Sequence, residues 1–126
     1  MFSKSNQPIF IQLAEQIKEQ VMEGKLKADD KVPSVRESAA QFEVNNNTSM
    51  HAIEQLAREN IIYKSRGLGY YVTAEAKEII IRQKQAQFEQ DFLPLLMKNM
   101  RQLNLSIEQL TEMIKKKGDI KWKIWN

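Results

Sequence analysis

Two helix-start signals, at Ser34 and at Asn45, constrain the fold of this sequence more than any other feature. Ser34 and Glu37 have the spacing of a capping box, in which the hydroxyl and the carboxylate each bind a free backbone amide of the other residue. The apolar stripe of the helix that follows ends near position 43, so this helix is short. Asn45 is a preferred N-cap residue and begins a second helix that runs to Asn60. Two short helices separated by about three residues predict a helix-turn-helix.

Another helix precedes this pair, and a β-hairpin follows it. Residues 8–23 show amphipathic helical periodicity, with Ile17 on the apolar face and Lys18 on the polar face. Residues 61–64 and 70–73 are rich in β-branched and aromatic side chains, and the glycine-containing loop between them predicts a hairpin. A helix-turn-helix followed directly by such a hairpin has the element order of a winged helix.

The remainder of the chain favours helices. A helical stretch is predicted from residue 74 to residue 103, interrupted or bent at Pro94 because proline cannot donate a backbone hydrogen bond. Ser106 and Gln109 form a second capping box, which opens a helix that ends at about Lys117. The predicted fold class is therefore mainly α with a small β-hairpin, a winged helix-turn-helix followed by an α-helical tail.

Composition excludes several classes of function. The chain has no cysteine and one histidine, His51, so we expect no disulfide, no metal site, no cofactor and no nucleophile–base pair of an enzyme. The net charge is +3, but residues 1–74 hold nine basic and nine acidic residues, so the whole excess lies in residues 75–126. Bulk charge alone therefore does not indicate nucleic-acid binding, whereas the placement of a few charges can.

A series of short motifs is spread over residues 8–73. They are Pro8-Ile9-Phe10, Gly24-Lys25-Leu26, Asp30-Lys31-Val32-Pro33-Ser34-Val35-Arg36-Glu37, Val44-Asn45, Asn47-Thr48, Leu56, Ile61-Ile62-Tyr63, Arg66-Gly67 and Gly69. Through these motifs, residues 8–73 resemble the DNA-binding domain of the GntR family of bacterial regulators. The resemblance covers about half of the chain with consistent spacing. The short helical tail is similar to that of the YtrA-type subgroup, which has two helices in place of a large ligand-binding domain.

The resemblance implies which residues contact DNA. Arg36, early in the second helix, corresponds to an operator-contacting residue, and the start of the third helix supplies further contacts. Arg66 and Gly67 at the tip of the wing are expected to reach the minor groove or its phosphates. The predicted DNA-binding set is Ser34, Arg36, Asn45, Asn46, Asn47, Thr48, His51, Arg66 and Gly67.

The sequence also departs from the family pattern. Asp29 and Glu43 stand where glycine is usual, and Ser49 takes a position that is usually a buried valine. His51 and Leu68 replace residues that are often lysine or arginine. These departures do not change the predicted fold, but we expect them to affect which operator sequence is bound and with what affinity.

The tail has more apolar surface than two helices can bury alone. It either packs back on the winged helix or, as the family architecture implies, forms the core of a two-fold dimer through residues 75–126. Trp122 and Trp125 are candidates to cap that core. The basic and aromatic run around them is too short for stable anchoring to a membrane surface.

The leading hypothesis is a homodimeric, repressor-like regulator that binds double-stranded DNA at an inverted repeat. The alternative is a winged-helix protein-interaction module without DNA binding, which the zero net charge of residues 1–74 favours and Arg36, Thr48 and Arg66 oppose. Residues 1–8 lack the apolar stretch of a signal peptide, so a cytoplasmic location is expected. The sequence does not identify a small-molecule effector.

Overall fold

The computed structural model describes residues 7–118, and Trp122 and Trp125 lie outside the described residues. The chain divides into two compact units, with the boundary in the sequence between Lys84 and Gln85. The assignment of DNA binding to residues 1–74 and of dimerisation to residues 75–126 stays a prediction. No helix among the described residues is long and apolar enough to cross a membrane.

The first unit contains the three helices and the hairpin that the sequence predicts, and a fourth helix begins in it. The mainly helical fold class with a small hairpin is therefore confirmed. The elements are α1 (Ile9–Met22), α2 (Val35–Phe42), α3 (Asn46–Arg58), β1 (Ile62–Ser65), β2 (Gly69–Val72) and α4 (Ala76–Gln87).

A single apolar core holds these elements together. It is built from the inner faces of α1 and α3, the hairpin and the first turns of α4, and each fully buried aliphatic side chain contributes on the order of 2 kcal/mol. Ala76 and Ile80 of α4 belong to this core. The first turns of α4 are thus part of the winged-helix unit and not of the tail. The most deeply buried side chains include Leu13, Ile17, Ile53, Leu56, Ile61, Ile62, Val72 and Ile80.

The hairpin is antiparallel, with Ile62 opposite Val72 and Tyr63 opposite Tyr71. An isolated bridge from Lys31 to Tyr71 adds a third segment beside the second strand. Because side chains alternate between the faces of a strand, Tyr70 packs against the core while Tyr63 and Tyr71 share the other face.

In the second unit the backbone remains helical on both sides of Pro94. A π-helical turn spans Phe88–Phe92, followed by α5 (Leu93–Gln102) and α6 (Ile107–Lys117). The amide of Leu93 binds the carbonyl of Phe88, five residues earlier, so the irregularity expected at Pro94 takes the form of a π-turn just before it. The second capping box is confirmed, since the Ser106 hydroxyl accepts from the Gln109 amide and the Gln109 side chain accepts from the Ser106 amide.

The prediction that Lys18 lies on the polar face of α1 is wrong. Lys18 is only 7% exposed, and its Nζ lies 2.9 Å from Oε1 of Glu59, just after α3. Gln83 of α4 donates to the same Glu59 oxygen at 2.6 Å, and Gln55 donates to the other oxygen at 2.6 Å. Periodicity alone cannot reveal that Glu59, just after α3, packs beside Lys18 and pairs with it.

These partners determine the charge state of Glu59. Partial burial by itself raises the pKa of Glu59, but the hydrogen bonds from Gln55, Lys18 and Gln83 outweigh it and leave the pKa below its usual value. Glu59 is therefore ionised at neutral pH and joins α1, α3 and α4 through one carboxylate.

We expect Glu59→Gln to lower the free energy of unfolding at pH 7 by about 2 kcal/mol, because it leaves the buried Lys18 ammonium with only the more distant and more exposed carboxylate of Glu15, at 3.6 Å, as a counter-charge. A lowered folded-state pKa means that the carboxylate stabilises the fold above its unfolded pKa, about 4.3, and loses this effect as the pH falls through the folded value. The difference in the free energy of unfolding between the wild type and Glu59→Gln should therefore be smaller at pH 3 than at pH 7. Urea denaturation followed by circular dichroism measures it at both pH values.

Glu23→Gln is the matched control, since the ion pair of Glu23 with Lys25 is exposed on both sides and contributes little. If Glu59→Gln loses no more stability than this control, the contacts of Glu59 with Lys18, Gln55 and Gln83 do not stabilise the fold as proposed.

Candidate DNA-binding interface

The start of α2 is fixed by the capping box that the sequence predicts. The Ser34 hydroxyl accepts from the Glu37 amide at 3.1 Å, and the Glu37 carboxylate accepts from the Ser34 amide at 3.0 Å. The bond from the Ser34 backbone is the main reason that the pKa of Glu37 is lowered. Arg36 follows the cap on the exposed side of the helix and makes no salt bridge with another described residue. Its guanidinium is free to bind phosphate or guanine.

The start of α3 is capped by Asn45, whose side-chain oxygen accepts from the Thr48 amide at 2.8 Å. The next two residues, Asn46 and Asn47, are exposed in the first helical turn, and Thr48 is half-buried. Asn45 thus has the capping role predicted for it, while Asn46 and Asn47 offer unengaged amides beside a helix N-terminus that favours anions.

A buried hydroxyl joins these two helix starts. Ser49 is fully buried, and its Oγ donates to the carbonyl of Val35, the first residue of α2, at 2.8 Å. This bond explains how a polar residue is tolerated where valine is usual, since a buried hydroxyl is costly only when it has no partner. It also fixes the first turns of α2 and α3 relative to each other.

Glu43, where glycine is usual, ends α2 in the left-handed conformation with φ 56°. Its amide binds the carbonyl of Ala39, which ends the helix as glycine would. The left-handed backbone costs about 1 kcal/mol for a residue with a Cβ. The turn of the helix-turn-helix is therefore kept, with some strain.

The exposed face of α3 continues beyond its first turn. His51 is exposed and meets the ring of Phe10 edge-on, with centroids 5.5 Å apart and planes at 84°. Met50 and Glu54 are exposed on the same helix. The sequence reasoning did not single out Met50, although its spacing of three and four residues from Asn47 and Asn46 indicates the same face.

The wing tip is formed by three exposed residues, Arg66, Gly67 and Leu68. The Leu68 amide binds the Ser65 carbonyl at 3.2 Å, and Gly67 has φ 60°, which glycine adopts without strain. Leu68 is 64% exposed, so it is presented outward by the turn and takes no part in the core.

Two tyrosines on the outer face of the hairpin support this tip. The rings of Tyr63 and Tyr71 stack with centroids 5.8 Å apart, and the Tyr71 hydroxyl donates to the Leu68 carbonyl at 3.3 Å. The Tyr63 hydroxyl donates to the Asp29 carboxylate at 2.9 Å, and this bond raises the pKa of Tyr63. Asp29 adopts φ 67°, which accounts for the usual glycine there, and its side chain gives the wing an extra tether.

The structure thus places all nine predicted residues in the first unit. Those at the starts of α2 and α3 are joined through Ser49, whereas Arg66 and Gly67 lie on the separate hairpin. Among the described residues, no group of three or more His, Cys, Asp or Glu side chains is arranged to hold a metal ion.

Several known proteins are similar to this chain in sequence and fold. The model of the bacterial regulatory proteins of the gntR family matches residues 11–72. The HTH-type transcriptional repressor YtrA of Bacillus subtilis is 34% identical over 119 residues, covering 94% of this chain and 91% of that protein. The crystal structure of a GntR-family regulator from Bacteroides thetaiotaomicron matches with a TM-score of 0.75 and 29% identity, over 86% of this chain and 95% of that one.

A DNA-bound structure is also similar to part of this chain. The DNA-binding domain of AraR in complex with operator ORX1 matches with a TM-score of 0.52 and 30% identity. The match covers 57% of this chain and 87% of the AraR chain.

Leu68→Lys should make DNA binding more dependent on salt. An ammonium at the wing tip adds about one phosphate contact per wing, so the slope of log K against log salt steepens by roughly 0.9 for each wing. The gain should be equal on specific and random duplexes, because phosphate contacts carry little sequence information. Titration at several salt concentrations measures the slope.

Gln87→Lys adds the same charge to an exposed position of α4 outside the first unit and should leave the slope nearly unchanged. Equal slopes for wild type and Leu68→Lys would mean that the wing does not lie along the DNA backbone.

Proposed function

The chain belongs to the gntR family of bacterial regulatory proteins, and from this premise we propose that it represses transcription by binding a specific double-stranded DNA sequence as a homodimer. The observation that carries the proposal is the pair of helix starts joined by the Ser49–Val35 hydrogen bond. This bond holds Arg36 and the exposed amides of Asn46 and Asn47 on one rigid support.

In this proposal α3 enters the major groove with its N-terminal turns against base edges, as in other helix-turn-helix proteins. Asn46, Asn47 and His51 face the bases, and Arg36 binds phosphate or guanine. Ser34, Asn45 and Thr48 are engaged in helix caps, so their role is to hold the N-terminal turns of α2 and α3 against the DNA. Arg66 and Gly67 follow the minor groove or its phosphates.

The alternative of a protein-interaction module rests on the absence of net charge in residues 1–74. The placement of charge favours DNA, because Arg36 and Arg66 are exposed without a described counter-ion while several acidic groups are occupied. Glu37 is used by a helix cap, Glu59 by Lys18, and Asp29 by Tyr63. Several acidic residues of this unit thus have partners within the protein, whereas Arg36 and Arg66 are available to bind phosphate.

The tail supports the homodimer. Its exposed large apolar side chains form no core within the second unit, and a groove of about 590 Å³ runs between α5 and α6. A large exposed apolar surface is typical of a protein–protein interaction site. In a two-fold dimer the same surface of each protomer covers that of the other, so a second copy of this chain can bury it. The exposed side chains include Phe88, Phe92, Leu95, Met97, Leu103, Ile107 and Met113.

A two-fold dimer implies an operator with inverted half-sites about one helical turn apart, since protein symmetry is mirrored in the DNA. A chromosomal operator places the protein in the cytoplasm. In this role the chain acts by binding and carries out no chemical reaction.

We expect Arg36→Ala and Arg66→Ala each to weaken DNA binding by at least about 1 kcal/mol per site, a factor of roughly five, without changing the melting temperature, because both side chains lie off the core. Electrophoretic shifts with sheared genomic DNA at low salt measure the affinity. Arg82→Ala, at an exposed arginine of α4, is the control and should bind like wild type.

Unaltered affinity in both variants would refute the assigned DNA face. Failure of the wild-type protein to shift any duplex would instead favour the protein-interaction module.

We expect Phe92→Glu to convert the dimer to a monomer, because a carboxylate cannot be buried at an apolar interface without a partner. Phe92 is 52% exposed within the protomer, so the substitution should leave the helical content unchanged. Sedimentation velocity measures the mass. Gln90→Glu adds the same charge two residues away in the π-turn and should stay dimeric. A dimeric Phe92→Glu protein would place the interface elsewhere.

A further inference from the structure

Met50 is a large apolar side chain on the outer face of α3, where it is 46% exposed. The neighbours of Met50 on the inner side, Ser49 and Ala52, are fully buried. On the outer side, Asn46 and Asn47 precede it by one turn and Glu54 follows it by one turn, and all three are exposed. Met50 is thus surrounded along the helix by polar groups that face outward.

The fold itself does not use this side chain. Met50 belongs neither to the buried core nor to the partly buried hydrophobic residues that pack against it. An isolated exposed apolar residue is ordinary on a protein surface and needs no explanation by itself. The position of Met50 is different, because it lies on the one helical face that the proposed function directs into the major groove.

The major groove offers an apolar partner at one base only. Adenine, guanine and cytosine present hydrogen-bonding groups there, whereas thymine also presents its C5-methyl group. Methionine has a long, unbranched and polarisable side chain that can reach such a methyl and adapt to it. It has no donor hydrogen with which to bind a base or a phosphate strongly.

We propose that Met50 is a specificity-determining residue that recognises the methyl group of a thymine at one position of each operator half-site. The proposal rests on the proposed function, since it requires α3 to lie in the major groove. The Ser49–Val35 hydrogen bond beside Met50 fixes the first turns of α3, so the methionine is presented at a defined height in the groove. The amides of Asn46 and Asn47, one turn away, bind neighbouring base edges.

The test first selects high-affinity duplexes from a random pool with the full-length protein. Each thymine of the selected duplex is then replaced in turn by uracil, which removes only the methyl group and keeps the base pair. For the wild-type protein we expect affinity to fall about fourfold at one position of each half-site, which is the effect of losing one buried methyl group. Replacement in both half-sites together should give a fall of about fifteenfold, the square of that factor.

Variants at position 50 assign this effect to the methionine. Met50→Leu should keep the sensitivity to uracil, because it keeps an apolar contact of similar size. Met50→Gln has similar length but a polar end, so it should bind the thymine and uracil duplexes equally. Glu54→Gln, on the same face one turn later, is the control, and it should retain the sensitivity whatever it does to overall affinity. Unchanged melting temperatures exclude a folding defect.

A wild-type protein that binds every uracil duplex as tightly as its thymine parent would overturn the proposal, and so would a Met50→Gln variant that keeps the sensitivity. Either result would leave the proposed function intact, since a duplex had been selected. Selection that yields no duplex would overturn the proposed function and, with it, the role of Met50.

Discussion

Burial of one face of α3 is the constraint on which the rest of the structure depends. Ala52, Ile53 and Leu56 are all but inaccessible to solvent, and they form the centre of the core with α1 and the hairpin. Because helical side chains repeat every 3.6 residues, fixing these three inward leaves Asn46, Asn47 and Met50 outward. The candidate interface is therefore a geometric consequence of the core.

Buried polar bonds at the two ends of α3 make that orientation unique. Near its start Ser49 donates to Val35 of α2, and just past its end Glu59 binds Lys18 of α1 and Gln83 of α4. Each such bond adds only about 1 kcal/mol of net stability, but breaking it leaves a buried polar group without a partner, which costs more. Apolar contacts persist when a helix rotates slightly, whereas these hydrogen bonds form only when α3 has one particular orientation.

The parts of the fold that were predicted from sequence are those set by residues close together in the chain. Both capping boxes and the Asn45 cap act over three residues, and the hairpin needs only its loop and its two alternating strands. The burial of Lys18 and the bond from Tyr63 to Asp29 depend on partners 41 and 34 residues away, which only the packed structure brings near. Met50 shows a different limit, since its helical spacing indicates the same face as Asn46 and Asn47, but a thioether has no charge or hydrogen-bond donor that marks a DNA contact in the sequence.

The two departures from glycine show how the same backbone constraint can have different outcomes. Asp29 and Glu43 both adopt left-handed conformations, at a cost of about 1 kcal/mol each. Glu43 makes only the backbone bond that glycine would make, so its strain has no described compensation. Asp29 accepts a hydrogen bond from Tyr63, whose ring stacks on Tyr71, and Tyr71 in turn binds the backbone of the wing tip. Strain at Asp29 is thus offset by a tether that glycine cannot provide, and the wing gains order at the end where DNA binding is proposed.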